Sequence, residues 1–180
     1  MADHIIDGGI IVRTASPADA PALALVAGTT FLETFADIIA GPDIVAHVTA
    51  NNSAEKFGDW IGDAESRVWI AERKATTAPI GYALLTAPDL PDIVTGTADV
   101  ELKRIYILSR YHGGGLAGRM MEAVVAEAKA MRKTRLLLGV YAGNDRAIAF
   151  YRKQGFEIVG DRRFQVGAAM FEDKIMARKL

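Results

Sequence analysis

The chain has 180 residues, 51% of them hydrophobic and 24% charged, with a formal net charge of −1, which is the size and balance of a soluble globular domain that needs no covalent staples. It contains no cysteine, which excludes a disulfide framework, a thiolate zinc site, an iron–sulfur cluster and a cysteine nucleophile. No apolar run approaches the roughly 20 residues of a membrane helix, and the three histidines (His4, His47, His112) fit no metal-ligand spacing, so no membrane, no metal and no G-x-S-x-G hydrolase enter the reading.

The opening Met1-Ala2-Asp3-His4 lacks the basic start of a secretion signal, so a cytoplasmic address is expected. Residues 1–9, ending in Gly8-Gly9, read as a mobile leader, and residues 10–180 as a single domain. Ile10 to Arg13 is a short β-rich run, and Ser16-Pro17 opens a helix that runs to about Thr29. More helix is predicted across 31–61, broken at Gly41-Pro42. Strands follow at Val68–Ala71 and Ile80–Leu85, then a Pro- and Asp-rich loop over 87–97 and a third strand, Val100–Leu108. Leu116, Met120, Val124 and Ala128 step by four along one helix face. Arg135–Val140 is a strand, Asn144 caps a helix that Gly155 ends, and Phe156–Val159 and Met170–Met176 close the chain as strands. Early helices, then meandering strands, then a β–α–β unit make a mixed α/β domain.

Charge is unevenly distributed. Residues 1–100 hold 5 Lys/Arg against 14 Asp/Glu, a net −9, and residues 101–180 hold 16 against 8, a net +8. A basic half can attract phosphates and an acidic half cations, provided the charges cluster in space. Otherwise they are two solvated surfaces. No aromatic residues interleave on a basic stripe, so no nucleic-acid partner is expected.

The informative stretch is Ile105-Tyr106-Ile107-Leu108-Ser109-Arg110-Tyr111-His112-Gly113-Gly114-Gly115-Leu116-Ala117-Gly118-Arg119. A strand runs into glycines, and the glycines open a helix whose N-terminal amides form an anion site that Arg110 and Arg119 flank. Gly113, Gly115 and Gly118 also fit the dinucleotide fingerprint, but only 62 residues follow Gly118 and Leu136–Tyr141 supplies no acidic residue for a ribose. A P-loop would need Gly-Lys-Ser/Thr, which is absent here.

His112-Gly113-Gly114-Gly115-Leu116-Ala117 resembles the Q/R-x-x-G-x-G/A signature of the GNAT N-acetyltransferase superfamily, with His in the first position. Asn144-x-x-Ala147-x-x-Phe150-Tyr151-x-x-x-Gly155-Phe156 resembles that family's N-x-x-A-x-x-F-Y-x-x-x-G-F block, in order and about 30 residues on. Glu101 to Tyr106 and Phe31-x-x-Thr34-Phe35 look like bacterial polyamine (spermidine/spermine) acetyltransferases. The resemblance implies a GNAT-like α/β domain: a central twisted, mostly antiparallel sheet with one splayed parallel pair, flanked by helices. Acetyl-CoA would be the cosubstrate. The backbone of Ile105, Tyr106 and Ile107 would run beside its pantetheine, with an oxyanion-hole N–H there. The amides of Gly113, Gly114, Gly115, Leu116, Ala117 and Gly118 would hold its pyrophosphate with His112, and Asn144 and Tyr151 would reach it too.

The family mostly transfers acetyl directly to an amine, which a chain without cysteine suits. The acceptor ammonium must lose a proton and the departing sulfur must gain one. Tyr151 is the expected acid and Glu101, near the start of the cofactor strand, the expected base through water; as a core ring and a plain strand-end carboxylate they would have no such roles. Tyr106 and Trp69 are candidate acceptor-pocket aromatics, and Asp37, Asp43, Asp89, Asp92 and Asp99 candidate counter-charges. A small-molecule amine is the expected partner, a polyamine the first choice, with an amino acid, antibiotic or peptide N-terminus as alternatives and a homodimer as an assembly common in similar proteins. The rivals are a non-catalytic acyl-CoA sensor and an NAD-dependent oxidoreductase.

Overall fold

The computed structural model describes residues 4–6, 9–167 and 169–180. The leader expected to be mobile lies outside the described residues at 1–3, 7 and 8, and its His4–Ile6 form an edge strand, β1, antiparallel to β2 (Ile10–Thr14). Beyond β2 the Ser16 N–H and Oγ both donate to Asp19 Oδ2, at 2.7 and 2.8 Å, and Arg13 bridges Asp19 and Glu72. A single turn leads into α1 (Ala20–Phe35), which runs past Thr29 without interruption. The hydroxyls of Thr29, Thr30 and Thr34 donate to carbonyls four residues back at 2.7–2.8 Å, so these β-branched residues sit within the helix. Gly41-Pro42 is where α2 (Gly41–Asn51) starts, and Ser53 caps α3 (Ala54–Gly62) by accepting from the Lys56 N–H.

The remaining elements are β3 (Arg67–Arg73), β4 (Pro79–Thr86), β5 (Asp99–Ile107), α4 (Leu116–Ala130), β6 (Arg135–Tyr141), α5 (Asp145–Lys153), β7 (Glu157–Val166) and β8 (Ala169–Lys179). One sheet takes the order β1-β2-β3-β4-β5-β6-β8-β7, and every neighbouring pair is antiparallel except β5–β6. This is the mixed α/β fold expected. The last two strands are longer than their apolar runs predict. Their extra length is a ladder of opposite charges, Asp161 facing Lys174, Arg162 facing Asp173 and Arg163 facing Glu172, which hydrophobic alternation cannot register.

The sheet buries both faces. Leu102, Ile107, Leu136, Leu138 and Phe156 pack with Leu116, Met120, Val124 and Ala128 of α4 on one side. Ile70, Tyr82 and Leu84 pack with Leu23 and Ala27 of α1 and Phe57 of α3 on the other. Full burial of each leucine, isoleucine, valine, methionine or phenylalanine among them stabilises the fold by about 1.5–3 kcal/mol.

Two irregularities on β5 shape the centre. Among the described residues the parallel ladder with β6 runs only from Asp99–Arg135 to Glu101–Leu137, after which no register pair continues. Arg135 clamps the base of that ladder with Nε and Nη2 on the two Asp99 carboxylate oxygens, at 2.8 and 2.6 Å. The second irregularity is a bulge: Leu85 faces Leu102 while Leu84 faces Arg104, leaving Lys103 as the extra residue. Leu102 and Ile105 therefore both lie on the α4 face, and Arg104 and Tyr106 on the α1/α3 face.

Candidate active site

A cleft of about 840 Å³ opens where β5 and β6 part. Glu101, Ile105, Tyr106, Ile107, His112, Asn144 and Tyr151, all singled out from sequence, line it together. The glycine run lies beside it. Gly113 and Gly115 have φ of +83° and +79°, left-handed values that glycine adopts without strain, and a Cβ on Gly113, Gly115 or Gly118 would meet no atom within 4 Å. Leu116 is a core side chain and the first residue of α4, so it and Ala117 and Gly118 offer a ligand their backbone N–H groups at a free helix N-terminus. An open, amide-lined concavity next to an unpaired strand edge fits a phosphate-bearing cofactor with an extended amide arm.

Each polar candidate has a defined setting. Glu101 is 1% exposed, and its Oε2 accepts from the Asp89 N–H at 2.7 Å, which orients the carboxylate from the 87–97 loop. Tyr151 comes from α5; burial, and then the nearby Tyr106 phenol, push its hydroxyl above the ordinary tyrosine range. Asn144 Oδ1 accepts from the Ala147 N–H at 3.1 Å, so its first task is capping α5. His112 Nε2 lies 2.9 Å from the Ile107 carbonyl. A carbonyl only accepts, so Nε2 carries the proton and pins the loop to the end of β5; in that tautomer Nδ1 is an acceptor and has no hydrogen to offer a phosphate, which leaves the loop amides as the donors. Glu33 of α1 grips the same junction, accepting from the Ser109 N–H and Oγ at 2.9 and 3.1 Å.

The other candidates divide between the cleft and the rest of the fold. Trp69 is a core residue on the α4 face, and Asp99 is the Arg135 clamp. Asp37 and Asp43 do not line the cleft, whereas Asp89 and Asp92 do. Arg110 lies over the Tyr111 ring, and neither it nor Arg119 lines the cleft.

The sequence reading missed Arg104, Arg162, Asp173 and His47, all of which line the cleft on its α1/α3 side. Arg162 Nε and Nη2 each lie 3.1 Å from Asp173 Oδ2, and the guanidinium lies flat over Gly139, where a Cβ would come within 2.6 Å of it. Burial pushes the Asp173 carboxyl up against the pull of Arg162. His47 stacks on Phe31 at 4.4 Å, and burial, then Arg104, push its imidazole down, so it stands neutral at pH 7. The available signal was a charged residue inside each of three strands, legible only once the bulge and the cross-strand register are known.

A mixed sheet that splays one parallel pair above a glycine-rich helix start, with a carboxylate and a phenol at the opening, defines a coenzyme A-dependent acyltransferase class. The model for the acetyltransferase (GNAT) family matches residues 32–156, and the chain belongs to that family and is an N-acetyltransferase. It is 36% identical over 162 residues to an uncharacterized N-acetyltransferase of Mycobacterium tuberculosis, covering 90% of this chain and 98% of that one. Over 124 residues it is 29% identical to the L-methionine sulfoximine/L-methionine sulfone acetyltransferase of Pseudomonas aeruginosa, covering 58% of this chain and 72% of that one. Among solved structures, the PaiA N-acetyltransferase of Thermoplasma acidophilum, in complex with coenzyme A, superposes with a TM-score of 0.76 at 22% identity, covering 95% of this chain and 99% of that one.

Proposed function

We propose that the protein transfers an acetyl group from acetyl-CoA directly to the primary amine of a small molecule, with Glu101 as base and Tyr151 as acid. The observation that carries this is the convergence of both residues and the unpaired edge of β5 on one cleft. Acetyl-CoA supplies the activated acyl group. The β5 backbone from Ile105 to Ile107, which among the described residues has no register partner on β6, hydrogen-bonds its amide arm and offers an N–H to the developing oxyanion. The amides of Gly113 to Gly118 are placed to take its phosphates. Glu101, oriented by the Asp89 N–H, takes the proton that an acceptor ammonium must shed, through water where the amine stands off. Tyr151, protonated across the neutral range, returns a proton to the departing sulfur.

The acceptor is less directly written. The Bacillus subtilis spermine/spermidine N(1)-acetyltransferase, 30% identical over 82 residues, and the methionine sulfoximine enzyme name acceptors of opposite character. A polyamine, the first choice from sequence, calls for an acidic trough. The cleft is instead balanced: Glu33, Asp89, Asp92, Glu101 and Asp173 stand against Lys103, Arg104, Arg146, Arg162 and Arg163. The test is release of free thiol from acetyl-CoA over a panel of amines. Release with any one of them, lost in Glu101→Gln, supports the transferase with its base; a flat panel beside tight acetyl-CoA binding sinks it in favour of a sensor.

A further inference from the structure

On the α1/α3 face of the cleft, Arg104 projects from β5 immediately after the bulge. Its Nη1 donates to Asn52 Oδ1 at 2.7 Å and to the Asn51 carbonyl at 3.1 Å, and its guanidinium carbon lies 4.9 Å from the centre of the Trp60 ring. All are neutral groups. Among the described residues no carboxylate lies within ion-pair distance of Arg104, whereas Arg67, Arg135 and Arg162 each have one and Arg13 has two. Arg104, Arg162 and Asp173 line the cleft together with Tyr106. Arg162 there is ion-paired to Asp173, and Arg104 is not. The other titratable groups near Arg104 supply no counter-charge at pH 7: burial pushes the Tyr82 and Tyr106 phenols up, and burial, then Arg104, push the His47 imidazole down. A half-buried cation without a counter-charge is costly, and its cost is recovered when a ligand brings the missing anion.

Resting on the transferase reading, we propose that the acceptor amine carries a carboxylate, as an amino acid does, and that Arg104 is the residue that binds it. The arrangement then sorts the two ends of such an acceptor: its amine goes toward the carboxylate of Glu101, and its acid toward the guanidinium of Arg104. Arg104 presents a planar fork that suits a carboxylate in a way a lysine ammonium does not. Phe31, Phe35, Ile38 and Phe164 line the same side and suit an apolar side chain.

The experiment uses matched pairs that differ only in the acid: L-phenylalanine against 2-phenylethylamine and L-leucine against 3-methylbutylamine, with spermidine beside them. Thiol release gives kcat and KM, and calorimetry on the CoA-saturated protein gives binding without turnover. The expected result is a kcat/KM higher by about ten- to a hundredfold for the acids. Arg104→Gln should raise KM for the acids by a similar factor and leave the decarboxylated amines little changed, with Arg104→Lys between. Equal or better use of the decarboxylated amines or of spermidine overturns the proposal and leaves the transferase standing. Amino acids that bind but are never acetylated uphold acid recognition and sink the transferase. Neither binding nor turnover of the acids overturns the proposal, and so does an Arg104→Gln protein that loses both members of a pair alike, since that is the mark of a strut between the sheet and the α2–α3 junction.

Discussion

At the scale of single residues, the phenol of Tyr151 carries the clearest consequence. Burial raises its pKa above the ordinary value of about 10, so the proton it would donate stays in place well past neutrality. The sign follows: the acid-competent form is lost only as pH rises through the raised value, and kcat should not fall between pH 7 and 10 on account of this group. Tyr151→Phe should lower kcat by about 10²- to 10⁴-fold with acetyl-CoA affinity nearly unchanged. A descending limb below pH 9 in the wild-type profile that persists in the variant would assign the acid elsewhere. That Tyr151 and Glu101 line one cleft was legible because each stands in a recognisable motif or at its edge. Arg104 was not. Strict alternation from Glu101 puts Lys103 and Ile105 on the carboxylate's face and turns Arg104 away, and the bulge at Lys103 reverses that parity. A bulge has no reliable signature in a run such as Leu102-Lys103-Arg104.

Elements, in turn, set where the cleft begins. The parallel ladder holds for three register pairs, and the Asp99–Arg135 clamp sits at the first of them, reinforced by the Gly96 N–H donating to Asp99 Oδ2 at 2.7 Å. Arg135 holds the Asp99 carboxyl below the usual carboxylate range. Asp99→Ala should therefore destabilise the fold by about 1–3 kcal/mol, moderated because Arg135 is 37% exposed and can rehydrate. Since the folded pKa is the lower one, the contribution is complete above the unfolded carboxylate value near 4 and disappears as pH falls through the folded value. The gap in melting temperature between wild type and Asp99→Ala should be constant from pH 6 to 8 and narrow below pH 4. A gap that persists at pH 2 would mean that the variant disturbs packing and that the clamp contributes little. The order and type of most elements were legible from apolar period, caps and glycines, because burial on α1, α4 and the central strands is one-sided or complete. The full reach of β7 and β8 was not, because opposite-charge pairs that meet only across the hairpin stabilise them.

For the whole molecule, the charge asymmetry of the sequence does not carry into the cleft, which takes residues from both halves. β7 and β8, from the basic half, lie beside β6 and bring Arg162, Arg163 and Asp173 to the same wall that α1 and α2 furnish with Phe31, Phe35 and His47 from the acidic half. Halves of a chain separate in space only when the sheet keeps them apart, and an order that ends β5-β6-β8-β7, with α1 packed on β4 and β5, draws them together. The cleft thus depends on elements from both ends of the chain, and a ligand in it stabilises the whole sheet. Unfolding should be a single transition with matching calorimetric and van't Hoff enthalpies. Coenzyme A at a hundred times its Kd should add about 2.7 kcal/mol of stability, which for a chain of this size raises Tm by about 5–11 °C. Differential scanning calorimetry with and without the ligand reads both quantities. Two separate transitions, with only one shifted by coenzyme A, would show that the strands after β5 fold as a unit apart from α1 and α2, and would place the cofactor site on one unit alone.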